Sequence, residues 1–366
     1  MELIRQFQFE DTQPVAQLFQ KVFRHTDAPA PPSLTSYFAD IYLNNPWRDD
    51  EINSLVYERN GIISGFLGAI PFPMKVNDKL IRAAIGGNYM IDPEHPNPLA
   101  GIKILKTLLS GPQDVTYSDT ATATARNIWI GLGSATIQLY SMQWLKVLRP
   151  LQFASVMSTR NTTLSPLASL VHPLASIVDY SLSAIHKSPF HLKKTILKAE
   201  ELSLDIFIQA IGQFSAHDSL KPAYTKDTLA WLLKRAEDKK EYGSLKANVL
   251  FNNIGDIQGW YLYYPNSGKL GHILQLGAKQ QTVDAVLSHL FADAHQEGSL
   301  ALAGRIEPKF IQAFSLHQCI FTYRNSSLVV HSKNEDILNA LYRGDAFFTR
   351  LEGEWWTRLQ GDTFKE

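Results

Sequence analysis

The sequence predicts a mixed α/β fold that is built twice along one chain. Its 366 residues suffice for two domains of ordinary size, and its 45% apolar and 19% charged residues are usual for folded globular proteins. The predicted order of strands and helices in the first half is met again in the second half. One predicted hairpin in each half also carries the pattern Gly–x₃–Gly–aromatic, at residues 61–66 and 255–260. Together these features predict an internal duplication.

The elements of the first half follow from hydrophobic periodicity. Residues 3–9 are predicted as a strand. Residues 12–23 are predicted as a helix, because Pro14 lies in the first turn and apolar residues recur behind it at helical spacing. A helix, three strands, a helix, a strand, a helix and a strand are then predicted at residues 34–43, 54–59, 62–71, 74–92, 98–110, 114–118, 125–132 and 136–142. The pair Asn77-Asp78 predicts a hairpin turn inside the third of these strands.

The second half is predicted to repeat this order. After a strand at residues 196–202 come two helices, three strands, a helix, a strand, a helix and a strand, at residues 204–214, 225–236, 248–252, 257–264, 271–276, 283–298, 299–306, 308–316 and 327–330. We therefore predict a first domain at residues 1–150, a connector at residues 151–194 and a second domain at residues 195–366.

Charge and cysteine content exclude several kinds of function. Lysine plus arginine number 35, and so do aspartate plus glutamate, so no overall field attracts a nucleic acid and we expect no nucleic-acid partner. The lone Cys319 cannot form a disulfide within the chain or a multi-cysteine metal site. The histidines show no pair at metal-ligand spacing, so we also expect no metal.

Targeting signals and membrane spans are not predicted. The N-terminal residues carry charges where a secretory signal needs an apolar run, and no stretch of about 18 apolar residues occurs. The most apolar stretch, residues 163–185, is interrupted by Pro166, Pro173 and Asp179. An interfacial helix in that stretch is the alternative. With a single cysteine, these features lead us to expect a cytoplasmic protein without a membrane span.

A strand followed by a helix start is the most informative chemical feature. The predicted strand ends at Asp92, and the next helix begins near residue 98. The first N–H groups of a helix lack partners within it and attract phosphate oxygens. Gly101 in this first turn lets a ligand approach the backbone closely. The backbone of Met90 and Ile91 can hold an extended ligand as an added strand.

These residues resemble a known family of enzymes. The run from Met90 to Leu109 is similar to strand four, the pyrophosphate loop and helix three of the GNAT superfamily of acyl-CoA N-acyltransferases. Residues 125–133 resemble the fourth-helix motif of that family, and residues 4–23 resemble its first strand and helix. Residues 196–330 are similar to it only in the order of elements. The resemblance implies two tandem GNAT-like domains.

The same resemblance implies substrates and contact residues. The donor is acetyl-CoA or another acyl-CoA, and the acceptor is a primary amine on a small molecule or peptide; acetyl transfer is the expected reaction. The pantetheine arm is expected along residues 89–92, which include Met90, Ile91 and Asp92. The pyrophosphate is expected at the first turn of the helix, at Leu99, Ala100, Gly101, Ile102 and Lys103.

The sequence departs from the family's pattern in two places. Where the family's loop reads Gln/Arg-x-x-Gly-x-Gly/Ala, this chain has Pro98, Gly101 and Lys103. Pro98 has no N–H to donate, and Asn97 can occupy the neighbouring donors. Trp129 stands where the family often has a tyrosine that protonates the leaving thiolate. An indole N–H donates a hydrogen bond but keeps its proton near neutral pH, so Trp129 is predicted to position sulfur.

Asp92 and Asp119 are the candidate acid–base residues, because each ends a predicted strand beside the expected thioester. The alternative is that both cap the turn that follows, as aspartate commonly does. His95 is predicted to be a solvated loop residue. Arg305 and Glu307 occupy the matching position in the second domain, where they either bind a polar acceptor or pair with each other.

Two other functions fit the same sequence. One is a non-catalytic GNAT-like binding or scaffold protein, which Pro98 and Trp129 favour. The other is a Fem-like transferase with aminoacyl-tRNA as donor, which needs a basic groove that the balanced charge does not favour. The second domain is predicted to lack a CoA site and to shape the acceptor groove, because residues 277–281 hold one glycine where the phosphate loop belongs.

Overall fold

The computed structural model describes residues 2–94, 97–159, 178–185, 188–323 and 326–357. His95 and most of the apolar stretch at residues 163–185 lie outside these ranges. The strands are β1 Glu2–Gln6, β2 Leu55–Arg59, β3 Ile62–Pro71, β4 Met74–Val76, β5 Lys79–Ile81, β6 Ala83–Ile91, β7 Val115–Ala121, β8 Ala135–Thr136, β9 Met142–Val147, β10 Lys198–Glu201, β11 Leu220–Pro222, β12 Lys246–Phe251, β13 Ile257–Tyr264, β14 Leu270–Ala278, β15 Ala301–Arg305, β16 Ile320–Tyr323 and β17 Ser327–Ser332. The α-helices are α1 Thr12–Arg24, α2 Pro32–Tyr42, α3 Pro98–Leu109, α4 Ala123–Gly131, α5 Gln138–Ser141, α6 Pro150–Thr159, α7 Leu204–Phe214, α8 Lys226–Glu237, α9 Val283–Gln296, α10 Ile311–Leu316 and α11 Glu335–Arg343.

The strands of the described residues form two seven-stranded sheets with the same arrangement of strands. The first has the order β1-β2-β3-β6-β7-β17-β8, and the second has the order β10-β12-β13-β14-β15-β9-β16. Each sheet contains one parallel pair, β6 with β7 and β14 with β15, while the other neighbours are antiparallel. The predicted mixed α/β fold in two tandem copies is thereby confirmed.

Each half of the chain gives one strand to the sheet of the other half. β9 pairs with β15 in the second sheet, and β17 pairs with β7 in the first. The exchanged strands hold equivalent places, because Val330 lies opposite Tyr117 and Leu145 lies opposite Ala303. A separate three-stranded sheet joins β11 of the second half to the β4–β5 hairpin of the first. The two halves are therefore interlocked.

Two tight turns show how local sequence sets the hairpins. Asn77 and Asp78 have φ angles of 47° and 63°, and β4 and β5 pair across them, which confirms the hairpin predicted there. Asn60 and Gly61, with φ angles of 52° and 82°, connect β2 to β3. Two successive residues with positive φ match the right-handed twist of the flanking strands, and these residue types tolerate that backbone.

Apolar side chains form three layers. The largest lies between the sheets and includes residues of α1, α2, α7, α8 and α11. The outer face of the first sheet is covered by α3 and α4, and that of the second by α9 and α10. In the described part of the chain, no helix combines the length and the apolar character that crossing a membrane requires.

Residues 136–142 were predicted as one strand, and this prediction is wrong. They form the end of β8, helix α5 and the start of β9. The hydroxyl of Tyr140 donates to the carbonyl oxygen of Ala346 (2.8 Å) and accepts from its N–H (3.0 Å). This contact holds a short helix where the chain crosses from the first sheet to the second.

Residues 345–357, here called the tail segment, run between the two sheets. Four of its aromatic side chains are buried there: Phe347, Phe348, Trp355 and Trp356. The hydroxyl of Tyr117 on β7 donates to the backbone oxygen of Glu352 (2.7 Å). The tail segment thereby passes the points at which the parallel strands of both sheets separate.

Candidate active site

The parallel strands β6 and β7 separate after three residue pairs, and this opens a cavity in the first sheet. Within the described chain they pair from Ala83 and Val115 to Ile85 and Tyr117. Beyond that point β6 is bulged against β3, and Asn88 has a φ of 48°. A bulge bends its strand, so β6 leaves β7. The cavity has a volume of about 520 Å³, within the range of small-molecule sites.

The cavity reaches both faces of the first sheet. Gly101 of α3 and the pair Ile128 and Trp129 of α4 line it on the outer face. Phe19 of α1 and Glu354 of the tail segment line it on the inner face. Side chains from both sides of the sheet therefore line one continuous cavity.

Gly86 and Gly87 on β6 leave space for the cavity where it crosses the sheet. A Cβ atom on Gly86 would lie 3.4 Å from Cζ2 of Trp129, whereas one on Gly87 would lie 2.5 Å from Oε2 of Glu354. Successive residues of a strand face opposite sides. The first glycine therefore gives room to the indole on the outer face, and the second gives room to the carboxylate on the inner face.

Glu354 is the ionisable group that sequence reasoning missed. It is 6% exposed, and its Oε1 accepts hydrogen bonds from Ser118 Oγ (2.5 Å), Thr120 Oγ1 (2.6 Å) and the Thr120 N–H (3.1 Å). These donors on β7 hold the carboxylate at the cavity wall. No local spacing could have predicted this, because Ser118 and Glu354 are 236 residues apart.

Asp119 is buried beside this carboxylate and faces away from the cavity. Its Oδ1 accepts the N–H of Glu354 (2.6 Å), and its Oδ2 forms an ion pair with Arg305 of the second half. Arg305 therefore pairs with Asp119, while no bond joins it to Glu307 among the described residues. Asp119 fixes the backbone that carries Glu354.

Four of the predicted site residues line the cavity: Ile91, Asp92, Gly101 and Trp129. Asp92 is buried, and its Oδ1 accepts the N–H of Glu94 (2.9 Å), which is the turn-capping arrangement that was the alternative for this residue. Met90 points into the core between the sheets.

The remaining predicted residues surround the first turn of α3 without lining the cavity in the described structure: Leu99, Ala100, Ile102 and Lys103. The side chain of Asn97 accepts the N–H of Leu99 (3.1 Å), and its backbone oxygen accepts the N–H of Ala100 (2.9 Å). Lys103 pairs with Glu2 at 3.1 Å. Two donors of this turn are thus already used by Asn97.

Tyr89 lies between this turn and the cavity. Its hydroxyl rests against Gly101, where a side chain would collide with it. Burial raises the pKa of Tyr89 to about 12, so the phenol stays protonated and can donate a hydrogen bond at neutral pH. Because Gly101 has no side chain, the hydroxyl of Tyr89 has room to lie beside it.

The corresponding cleft of the second sheet is filled. β14 and β15 also separate after three pairs, and the guanidinium of Arg350 lies there. On the outer face the indole of Trp144 covers Gly304, where a Cβ would lie 2.7 Å from the ring, and stacks on Phe314. The two clefts thus share a strand arrangement but differ in what occupies them.

Solved structures of other proteins share this fold over most of the chain. No family model matches the sequence, and no curated protein does either. Among solved structures, a GCN5-related N-acetyltransferase from Anabaena variabilis shares 12% identity with a TM-score of 0.60, over 93% of this chain and 75% of that one. The fold is the tandem GNAT fold.

Two further GNAT-fold structures match at similar length. A GCN5-related N-acetyltransferase from Kribbella flavida shares 10% identity with a TM-score of 0.56, over 90% of this chain and 70% of that one. N-myristoyltransferase of Saccharomyces cerevisiae, solved with bound myristoyl-CoA, shares 10% identity with a TM-score of 0.52, over 90% of this chain and 78% of that one. The chain thus carries two GNAT copies, of which the first encloses the cavity.

Proposed function

We propose that this protein is an acyl-CoA-dependent N-acyltransferase that works in the cavity of the first GNAT copy. The observation that carries the proposal is a cavity lined from both faces of the sheet, with Trp129 on one face and the carboxylate of Glu354 on the other. The GNAT-fold neighbours described as N-acetyltransferases, and the N-myristoyltransferase with its myristoyl-CoA, support it.

The donor is proposed to enter from the outer face. Beyond Ile85 the edge of β6 that faces β7 has no strand partner in the described chain, so its peptide groups can hold a pantetheine arm as an added strand. Gly101 and the phenol of Tyr89 are proposed to contact the diphosphate at the start of α3. Lys103 can join them if it leaves Glu2. The thioester of acyl-CoA supplies the activated acyl group.

Glu354 is proposed to accept a proton from the acceptor amine on the inner face. Only the neutral amine attacks a carbonyl carbon, so a carboxylate within reach, directly or through one water, favours the reactive form. In the transfer the nitrogen–carbon bond forms, the carbon–sulfur bond breaks, the nitrogen loses one proton and the thiolate takes up one. Acetyl transfer to a primary amine is the simplest reaction of this kind.

The other predicted residues take supporting roles in the proposal. Trp129 packs beside the thioester on the outer face. Asp119 positions Glu354 through the N–H bond and accepts no substrate proton, because Arg305 and the tail segment occupy both its oxygens. Asp92 fixes the turn after β6. Catalysis then depends on orientation together with one proton acceptor.

Binding of CoA and acetyl-CoA tests the proposal. Calorimetric heat and a rise in melting temperature are expected, and the lack of both at about 1 mM ligand would contradict it. Gly101→Glu should abolish binding, because it adds bulk beside Tyr89 and negative charge near the diphosphate. The matched control Gly212→Glu, where a Cβ meets nothing within 4 Å, should bind like the wild type.

A further inference from the structure

The tail segment puts a charged side chain into each of the two clefts. In the second cleft, Nη1 of Arg350 donates to the carbonyl oxygens of Ile273 (3.2 Å) and Ala303 (3.3 Å), at the point where β14 and β15 separate. In the first cleft, Glu354 bonds to Ser118 at the equivalent separation of β6 and β7. The two residues are four positions apart, and their charges are opposite.

Arg350 has the contacts of a bound ligand. It is 5% exposed, and it connects both separating strands through their backbone oxygens. Its Nη2 donates to Oε1 of Gln143 on the exchanged strand β9 (3.3 Å), and its guanidinium lies 5.1 Å from the ring centre of Trp355. A buried guanidinium needs several acceptors to offset the loss of water.

The segment between the two charges is also held in place. The carboxylate of Glu352 is buried, and it accepts hydrogen bonds from Tyr224 (2.7 Å), Gln275 (2.8 Å) and the N–H of Thr349 (2.7 Å). Asp119 then accepts the N–H of Glu354 (2.6 Å). Three residues therefore separate Arg350 from Glu354, and on this path the backbone is held by Tyr117 at Glu352 and by Asp119 at Glu354.

We infer that Arg350 is a positioning residue: it occupies the second cleft as an internal ligand and thereby sets the place of Glu354 in the first cleft. The positioning role rests on the proposed function, because it acts through Glu354. That the second cleft is occupied follows from the contacts of Arg350 and does not depend on the proposed function. One chain accordingly has one donor site.

Calorimetric titration of the full-length wild-type protein with CoA gives the first test. One equivalent per chain is expected. Two equivalents would overturn the inference and leave the proposed function standing, whereas no binding would overturn the proposed function and with it the positioning role of Arg350.

Replacement of Arg350 gives the second test and needs no CoA. Arg350→Ala should lower the melting temperature, and ethylguanidinium should restore it by filling the vacated space. Arg343→Ala, on the exposed end of α11, is the matched control and should show no rescue. If ethylguanidinium stabilises both variants equally, or neither, Arg350 is no internal ligand.

Kinetics with acetyl-CoA and the amine that the wild type uses best test the positioning role. Arg350→Lys should lower kcat by about 10-fold to 100-fold, since a displacement of about 1 Å has this effect, while the Kd of CoA stays unchanged. The pH at which kcat reaches half its maximum should also move, because the surroundings of Glu354 change. An unchanged kcat and pH profile, or a loss confined to CoA binding, would refute the role.

Discussion

Asp119 and Arg305 occupy the same register position in the two sheets, and their side chains form an ion pair with each other. Asp119 is two residues beyond the last β6–β7 pair, at Tyr117, and Arg305 is two residues beyond the last β14–β15 pair, at Ala303. Duplicated positions thus meet where the two copies face each other. One copy supplies the carboxylate and the other supplies the guanidinium.

This ion pair predicts a stability loss that a second substitution recovers. Asp119→Asn should lower the free energy of unfolding by about 3–5 kcal/mol, because it leaves the buried charge of Arg305 without a counter-ion. Adding Arg305→Met should restore part of that loss. Urea unfolding of the two single variants and the double variant measures the coupling, and additive effects would contradict a direct interaction.

Glu354→Gln tests the proposed role of Glu354 as proton acceptor. The amide oxygen still accepts the hydrogen bonds of Ser118 and Thr120, so the fold and CoA binding should persist. The kcat should fall by about 10²–10⁴-fold, which is the usual contribution of a positioned acid–base group. Steady-state rates of acetyl transfer measure this, with Glu335→Gln at an exposed position as control. A kcat near the wild-type value would show that Glu354 is not the proton acceptor.

The two cavity glycines predict opposite outcomes for one chemical change. Gly87→Ala places a methyl group 2.5 Å from Oε2 of Glu354, so the carboxylate must move and kcat should fall at least about 10-fold. Gly86→Ala makes an ordinary contact of 3.4 Å with Trp129 and should keep most activity. Both variants should melt within a few degrees of the wild type. Equal losses of activity in the two variants would contradict a role of Glu354 in the reaction.

Glu307 predicts a pH-dependent stability. Burial raises the pKa of Glu307 to about 8, above its ordinary value of 4.5. The neutral carboxyl therefore favours the folded state, and this contribution is complete below pH 4.5 and is lost as the pH rises through 8. Glu307→Gln should flatten the fall in unfolding free energy by roughly 1 kcal/mol per pH unit in this window. Urea unfolding at pH 5, 6, 7 and 8 measures it; parallel curves for wild type and variant would refute it.

The strand exchange predicts that the halves do not fold separately. A fragment of residues 1–194 lacks β17, and its own β9 has no sheet to join, while a fragment of residues 195–366 lacks β9. Each fragment alone should be unfolded or aggregated by circular dichroism and gel filtration, because an unpaired strand edge is left. Co-expression should restore a stoichiometric complex. A monomeric, cooperatively folded single fragment is the contrary result.

The order of elements was predictable where the sequence pattern is local. A few neighbouring residues are enough to predict a capped helix, such as α3 behind Asn97. The same holds for a hairpin whose turn residues adopt positive φ, such as Asn77-Asp78. The duplication could be predicted for the same reason. The resemblance of residues 90–109 to one family motif then led to the correct fold.

The partners of the exchanged strands could not be predicted. β9 lies almost wholly beyond the strand predicted at residues 136–142, and the first four residues of β17 are all buried, so neither pattern indicates which sheet the strand joins. Likewise nothing near Glu354 indicates that it faces Ser118, because the contact depends on the path of the tail segment. The predicted Asp119 lies close to that carboxylate, so the sequence identified the right strand end but not the group that faces the cavity.

The symmetric exchange of β9 and β17 is the arrangement that results when the two subunits of a strand-swapped homodimer are joined by a linker. In such an ancestor both pockets would be alike. Once joined in one chain, the two copies can differ in sequence, so that one cleft stays open while side chains fill the other. In this chain the two clefts do differ, since Arg350 and Trp144 occupy the one in the second sheet and the cavity lies in the first.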